Sequence, residues 1–247
     1  MRYHDDVREG TPVADQASVT PGRTAADAAA AVLADPSLSE WLLVTDNPSL
    51  VASLVRQGAA PKRRALVMQC DLRSHPATGT STGRFTTAPL PCDRDPALWT
   101  HILPSWRAAF PRDHPDHFSG DDGDAIAFLM RLVQGAELGP LHRSTTLLAG
   151  EGGNAVAGVM VNVRPQDPPW GGAWIADIWR DPDLRGAGVG TILIDHVKSL
   201  LLEDGHAKLT LAVTSGNDAR RSYERAGFRV VIESQTLRLP AYRRQAR

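Results

Sequence analysis

Only two cysteines, Cys70 and Cys92, occur in 247 residues. They stand in no CxxC or mixed Cys/His spacing, so the sequence offers neither a zinc ligand set nor a disulfide framework, and both thiols are expected to be reduced and structural. No metal is expected. A surplus of one charge is missing as well: 27 Lys and Arg against 28 Asp and Glu leave a net charge of −1. That removes the whole-chain basic field that drives nonspecific binding, so no nucleic-acid or membrane partner is expected. No apolar run approaches the roughly 20 residues that cross a bilayer, and the opening MRYHDDVREG is charged, so a cytoplasmic location is expected. What is present is an ordinary globular composition, 42% hydrophobic, enough for one large domain or two smaller ones.

Residues 1–23 are polar and show neither helical nor strand periodicity, which predicts irregular chain. TAADAAAAVLA from Thr24 reads as a helix, WLLVT at 41–45 as a strand, and PSLVASLVRQ at 48–57 as a helix with Leu50, Val51, Leu54 and Val55 on one face. A strand follows at 65–72, and RSHPATGTSTGR, small and punctuated by Gly and Pro, marks a linker. These signals divide the chain into a smaller N-terminal α/β segment (1–75), a linker (76–84) and a larger domain (85–240). In the larger domain a first strand in RFTTAPL precedes helices near 97–110 and 124–134. A hairpin turning at GEGGN and the strand AWIADIWR come next. The loop DPDLRGAGVG then leads into an amphipathic helix with Val189, Ile192, Leu193, Val197, Leu200 and Leu201 on one face. KLTLAV, NDARRSYERAG and FRVVIESQTLRL complete a strand–helix–strand ending, so the expected class is α/β with an α+β mixed sheet.

Arg185-Gly186-Ala187-Gly188-Val189-Gly190 lies between a strand and a helix start, where backbone N–H groups and the helix dipole can hold a pyrophosphate, although glycines also serve plain turns. The glycines do not have dinucleotide-fold spacing, and no Gly-Lys-Ser/Thr of a P-loop follows.

This segment resembles the GNAT family of N-acetyltransferases, whose Arg/Gln-x-x-Gly-x-Gly/Ala signature is met by Arg185, Gly188 and Gly190. The preceding Ile178-Trp179-Arg180-Asp181-Pro182 is similar to the family's strand ending, with Arg180 where an aliphatic residue is usual. A second block, VTSGNDARRSYERAGF, is similar in order and distance, with Asn217 opening a helix, Tyr223 within it and Gly227-Phe228 closing it. The resemblance implies the GNAT acyl-CoA N-acyltransferase fold. It also implies acetyl-CoA as cosubstrate, with pantetheine along Ile178, Trp179 and Arg180 and pyrophosphate at Arg185, Gly186, Ala187, Gly188, Val189, Gly190 and Thr191. Asn217 and Tyr223 complete the implied cofactor contacts.

Acetyl transfer needs a neutral amine and a proton for the departing thiolate. A phenol of pKa about 10 suits the second task, which makes Tyr223 the candidate general acid. Asp177, on the strand before the loop, is the candidate base, with water as the alternative. Glu151 reads as a hairpin tip and His142 as a surface connection. His114 and His117 read as exposed loop residues rather than metal ligands, and His196 as a core histidine. Asp121, Asp122 and Asp124 read as caps of the next helix, with attraction of a cationic amine as a further role.

LLVTDNPSLVASLVRQG (42–58) resembles LAVTSGNDARRSYERAG (211–227), with Leu54 in the place of Tyr223. Residues 41–72 thus resemble the C-terminal portion of a second, truncated GNAT-like unit, the alternative being a chance match of one strand–helix–strand module to another, and are expected to hold no cofactor. Its two strands are expected to pair with each other, and its helix to pack on the catalytic domain or on a second copy in a homodimer. Two functions fit. One is an N-acetyltransferase acting on a primary amine of a small molecule or protein; the other is a non-catalytic acyl-CoA-binding or sensing module, which amine-dependent release of the CoA thiol would exclude.

Overall fold

The computed structural model describes residues 1–8, 11–79, 85–90, 99–150 and 153–242. Cys92, Glu151 and the linker residues 80–84 lie outside them. The fold is α/β with mixed sheets, and the chain forms two compact units: Met1–Leu66 with Ile232–Arg247, and Val67–Val231. Among the described residues no helix is long and apolar enough to cross a membrane.

The first unit begins with antiparallel β1 (Arg2–Arg8) and β2 (Thr11–Ser18), correcting the irregular chain expected at 1–23. Polar residues inside the strand hide its pattern from the sequence, since Val13, Ala14, Asp15 and Ala17 are all buried and no alternation shows. Helix α1 (Ala25–Ala34) starts at Thr24, whose hydroxyl accepts the Asp27 N–H while the Asp27 carboxylate accepts the Thr24 N–H. Then come β3 (Leu42–Thr45), α2 (Pro48–Arg56) and β4 (Ala60–Asp71). In this unit the strand order is β1-β2-β3-β10-β4, where β10 is Arg229–Arg238. β2 and β3 are parallel, and β10 runs antiparallel to β3 from Leu42↔Arg238 to Thr45↔Gln235. The expected pairing of β3 with β4 is therefore wrong: a strand from the other end of the chain takes that place, a partner that local periodicity does not encode. The α2 face is corrected too. Leu50 and Leu54 are fully buried inside this unit with Ala28, Ala29, Val32 and Leu237, Val51 packs beside them, and Val55 is exposed.

The second unit has the order β4-β9-β8-β7-β6-β5, built from β5 (Thr86–Pro89), β6 (Thr146–Ala149), β7 (Ala155–Arg164), β8 (Gly172–Arg180) and β9 (Lys208–Thr214). Strands β5 to β8 are antiparallel, and β8 and β9 are parallel. Helices α3 (Leu103–Ala109) and α4 (Asp122–Val133) pack Trp106, Ala125, Leu129 and Leu132 onto Leu147, Met160 and Trp179. The α4 start is capped by Asp121 and Asp124, as the sequence predicts. Helix α5 (Val189–Glu203) buries Val189, Ile192, Leu193, Val197 and Leu201, and α6 (Ala219–Arg225) connects β9 to β10. Cys70 is a buried free thiol at the end of β4.

Candidate active site

The site is laid out by an irregularity in β8. Val161 pairs with Ile175 but Met160 pairs with Asp177, so Ala176 is an extra residue that bends the strand. The ladder between β8 and β9 covers Ala173–Ile175 against Leu209–Leu211, although β8 runs on to Arg180 and β9 to Thr214. Beyond the bulge the parallel strands part, and Ile178, Trp179 and Arg180 lie along the edge of the opening. The Trp179 side chain turns into the core, its indole N–H donating to Ser105 Oγ at 3.3 Å, which leaves its backbone for contact. Gly158 makes that possible, because a Cβ there would run into the Trp179 ring.

β8 delivers the chain to the glycine loop. Gly186 and Gly188 take φ of 85° and 73°, a region that favours glycine. The first intrahelical bond of α5 runs from Ile192 N–H to Gly188 O at 3.1 Å, so the N–H groups of Val189, Gly190 and Thr191 have no acceptor within the helix. No side chain caps this helix and its first turn holds no acidic residue. A Cβ at Gly186, Gly188 or Gly190 would meet no atom within 4 Å, so the loop faces open space with its backbone bare. Such a cradle fits a pyrophosphate, drawn by N–H groups and the positive end of the dipole. Ala187 is tied back by its N–H to Leu184 O at 3.1 Å, and Arg185 is exposed beside it.

Asp177 and Tyr223 are brought together. Asp177 as a residue is half-buried, but its carboxyl group is enclosed by protein, which pushes its pKa up to about 6. The Trp106 indole N–H, donating at 2.6 Å, and the Ile178 N–H oppose that rise, and the charge of Asp116 adds to it. The Tyr223 phenol is held well above the usual tyrosine range, first by burial and then by the negative charges of Asp177 and Asp116. Its ring meets Phe228 edge-on at 6.0 Å. Asn217 opens α6: its Oδ1 accepts the Ala219 N–H at 2.8 Å and its Nδ2 donates to Asp116 at 2.9 Å.

Asp116 and Trp106 have no place in the sequence reading. Asp116 sits in a Pro-rich loop without periodicity, and Trp106 on a helix gives the same signal as any core aromatic. His142 is corrected: its side chain is only 10% exposed, bonded to Ser144 Oγ at 2.9 Å and Asp204 Oδ2 at 3.0 Å, because the segment after it folds back against α5's end. Burial, then the neighbouring His206, lowers its pKa. His114 accepts the Asp116 N–H at 3.1 Å and His117 bonds Phe110 O at 2.8 Å, so both order the loop. His196 is half-buried on α5.

The model of the acetyltransferase (GNAT) family matches residues 97–228. No curated protein matches the chain. Among solved structures, a GCN5-related N-acetyltransferase from Sphaerobacter thermophilus superposes with a TM-score of 0.58 at 17% identity, over 85% of this chain and 63% of that one. This chain thus spans less than two thirds of that protein's length. A tandem GNAT protein from the clavulanic acid biosynthesis pathway, solved without AcCoA, gives 0.61 at 15% identity over 96% of this chain and 76% of its own. A GCN5-related N-acetyltransferase from Kribbella flavida gives 0.56 at 15% identity, covering 97% and 90%. At these identities the likeness is one of fold.

Proposed function

Because the chain belongs to the acetyltransferase (GNAT) family, we propose that it is an acyltransferase that moves acetyl from acetyl-CoA to a primary amine of a small molecule or peptide, by direct attack with Tyr223 as general acid. The observation that carries this reading is the opening between β8 and β9 that leads directly to the bare glycine cradle. The backbone of Ile178, Trp179 and Arg180 would take the pantetheine arm as an added strand takes its neighbour, and residues 185–191 the pyrophosphate. The thioester supplies an activated acetyl group. Residues 85–240 form the catalytic domain in this reading, and residues 1–75 bind no cofactor.

The proton problem is one of magnitude. An alkyl amine of pKa about 10.4 costs about 4.6 kcal/mol to neutralise at pH 7. A carboxylate raised to about 6 is still mostly ionised at pH 7, yet it binds a proton more tightly than an ordinary Asp by about 3 kcal/mol. Asp177 therefore accepts the amine proton, directly or through water. Tyr223 keeps its own proton while Asp177 is charged, because burial and then that charge oppose phenolate formation. Once Asp177 is protonated its part of that opposition is gone, and Tyr223 becomes a better acid as the thiolate departs, burial and Asp116 still acting on it.

A panel of primary amines assayed for release of the CoA thiol tests the proposal. Release that depends on added amine is the expected result. Tight acetyl-CoA binding with no amine-dependent release would replace the enzyme by a sensing module.

A further inference from the structure

Resting on that reading of Asp177 and Tyr223, we propose that Asp116 is a positioning residue: it latches the loop between α3 and α4 onto the end of β9 and the start of α6, setting the Tyr223 helix opposite Asp177. The Asp116 carboxylate accepts the Thr214 hydroxyl and, at 2.9 Å, the Asn217 amide. Thr214 is the last residue of β9, on the side where that strand has parted from β8. Asn217 is held at both ends of its amide, by Asp116 and by the first N–H of α6. Orientation of that helix is thereby tied to the loop, with Tyr223 one turn further on.

The other end of the loop is anchored as firmly. Arg107 on α3 donates to Phe118 O at 3.1 Å and Gly120 O at 2.8 Å and pairs with Asp122 at 3.2 Å. Phe110 and Phe118 meet the Trp106 ring edge-on at 5.6 and 5.7 Å, and that ring's N–H holds Asp177. One irregular segment thus joins the group that orients the base to the helix that carries the acid. Charge-assisted bonds suit the task because they fix geometry more strongly than neutral ones. The carboxylate also keeps a negative charge in the site. The groups that act on Asp177 are the Trp106 indole from α3, the Ile178 N–H of its own strand and Asp116 from the loop, and Asp177 in turn acts on Tyr223 from α6.

Two variants separate geometry from charge. Asp116→Asn removes the charge and one of the two acceptor oxygens; Thr214→Val removes one latch bond and keeps the charge. Both are expected to lower kcat by roughly 10- to 100-fold with KM for acetyl-CoA unchanged, since they disturb alignment rather than cofactor binding. Only Asp116→Asn should move the ionisation midpoint of Asp177, and downward, because a neighbouring negative charge no longer opposes it. That midpoint is read without substrate from the carboxyl-carbon NMR signal that disappears in Asp177→Asn. Faster amide exchange at Ala219 in both variants reports the loosened helix start. An Asp116→Asn protein with wild-type Asp177 midpoint and wild-type Ala219 exchange overturns the proposal. Since neither measurement needs turnover, a failed amine screen would sink the catalytic reading and leave the latch separately decided.

Discussion

Residues 13–58 and 172–227 pass through the same succession: a strand, a helix, a parallel strand and a second helix ending at a glycine of φ near 90°, Gly58 at 99° and Gly227 at 92°. Thr45 and Thr214 end the corresponding strands, yet Thr45 donates to a backbone carbonyl, Ala17 O at 2.6 Å, and Thr214 to the Asp116 carboxylate. Leu54 is sealed in a core where Tyr223 is half-buried beside two acidic groups. The starts of the first helices differ most. At α1 the Thr24–Asp27 capping box occupies N–H groups and brings a carboxylate; at α5 three glycines leave the backbone bare and no side chain caps it. A helix start takes an external anion only when its own side chains have not already supplied one. The first helix start is thus closed by its own side chains, and the second is left bare.

The largest expected effect comes from closing the open helix start. Gly188→Glu places a non-glycine residue at φ 73° and a carboxylate against the pyrophosphate, and acetyl-CoA binding measured by titration calorimetry should be lost. Unchanged affinity in the folded variant would remove the loop from the site. The same titration of the wild type should give one acetyl-CoA per chain. A stoichiometry near two would break the comparison, since α1 would then bind despite its capping box.

The corresponding positions Leu54 and Tyr223 should respond in different observables. Leu54→Ala opens a cavity at a fully buried site and should lower stability by about 2–5 kcal/mol in chemical denaturation, with acetyl-CoA affinity kept. Tyr223→Phe keeps the ring contact with Phe228 and loses the proton donor, so turnover should fall by roughly 100-fold with little change in cofactor affinity. Wild-type turnover in Tyr223→Phe would return the residue to packing.

The helices, the glycine loop and the cap at Asp121 were legible because each is written within one turn of chain. Tyr223 and Asp177 were legible only as candidates, from their places around that loop. What the sequence hid depends on distant partners. β10 beside β3 joins positions far apart in the chain, and the bulge at Ala176 appears only once β7 supplies a register against which one residue is extra. Asp116 was hidden for the same reason: its meaning lies in Thr214 and Asn217, about a hundred residues away. β2 was missed because a strand buried on both faces with Asp15 inside it gives no alternation to read.

The smallest expected effect concerns what Asp177 costs the fold. Its folded pKa of about 6 lies above the ordinary aspartate value of 3.8, so between those values the folded protein holds a proton that the unfolded chain has already released. Stability therefore falls as pH rises through that window, by up to about 3 kcal/mol once both states are ionised. Asp177→Asn keeps an acceptor for the Trp106 N–H and removes the enclosed charge. At pH 7 the variant should melt higher than the wild type, with the advantage shrinking from about pH 6 downward and vanishing near pH 4. Calorimetric melting at a series of pH values reads it directly. Leu54 has no charge to enclose, so Leu54→Ala should shift the melting temperature by a similar amount at every pH in that range. An Asp177→Asn advantage that does not change with pH would mean the carboxyl is not held above its ordinary range, and would point to water or another group as the base.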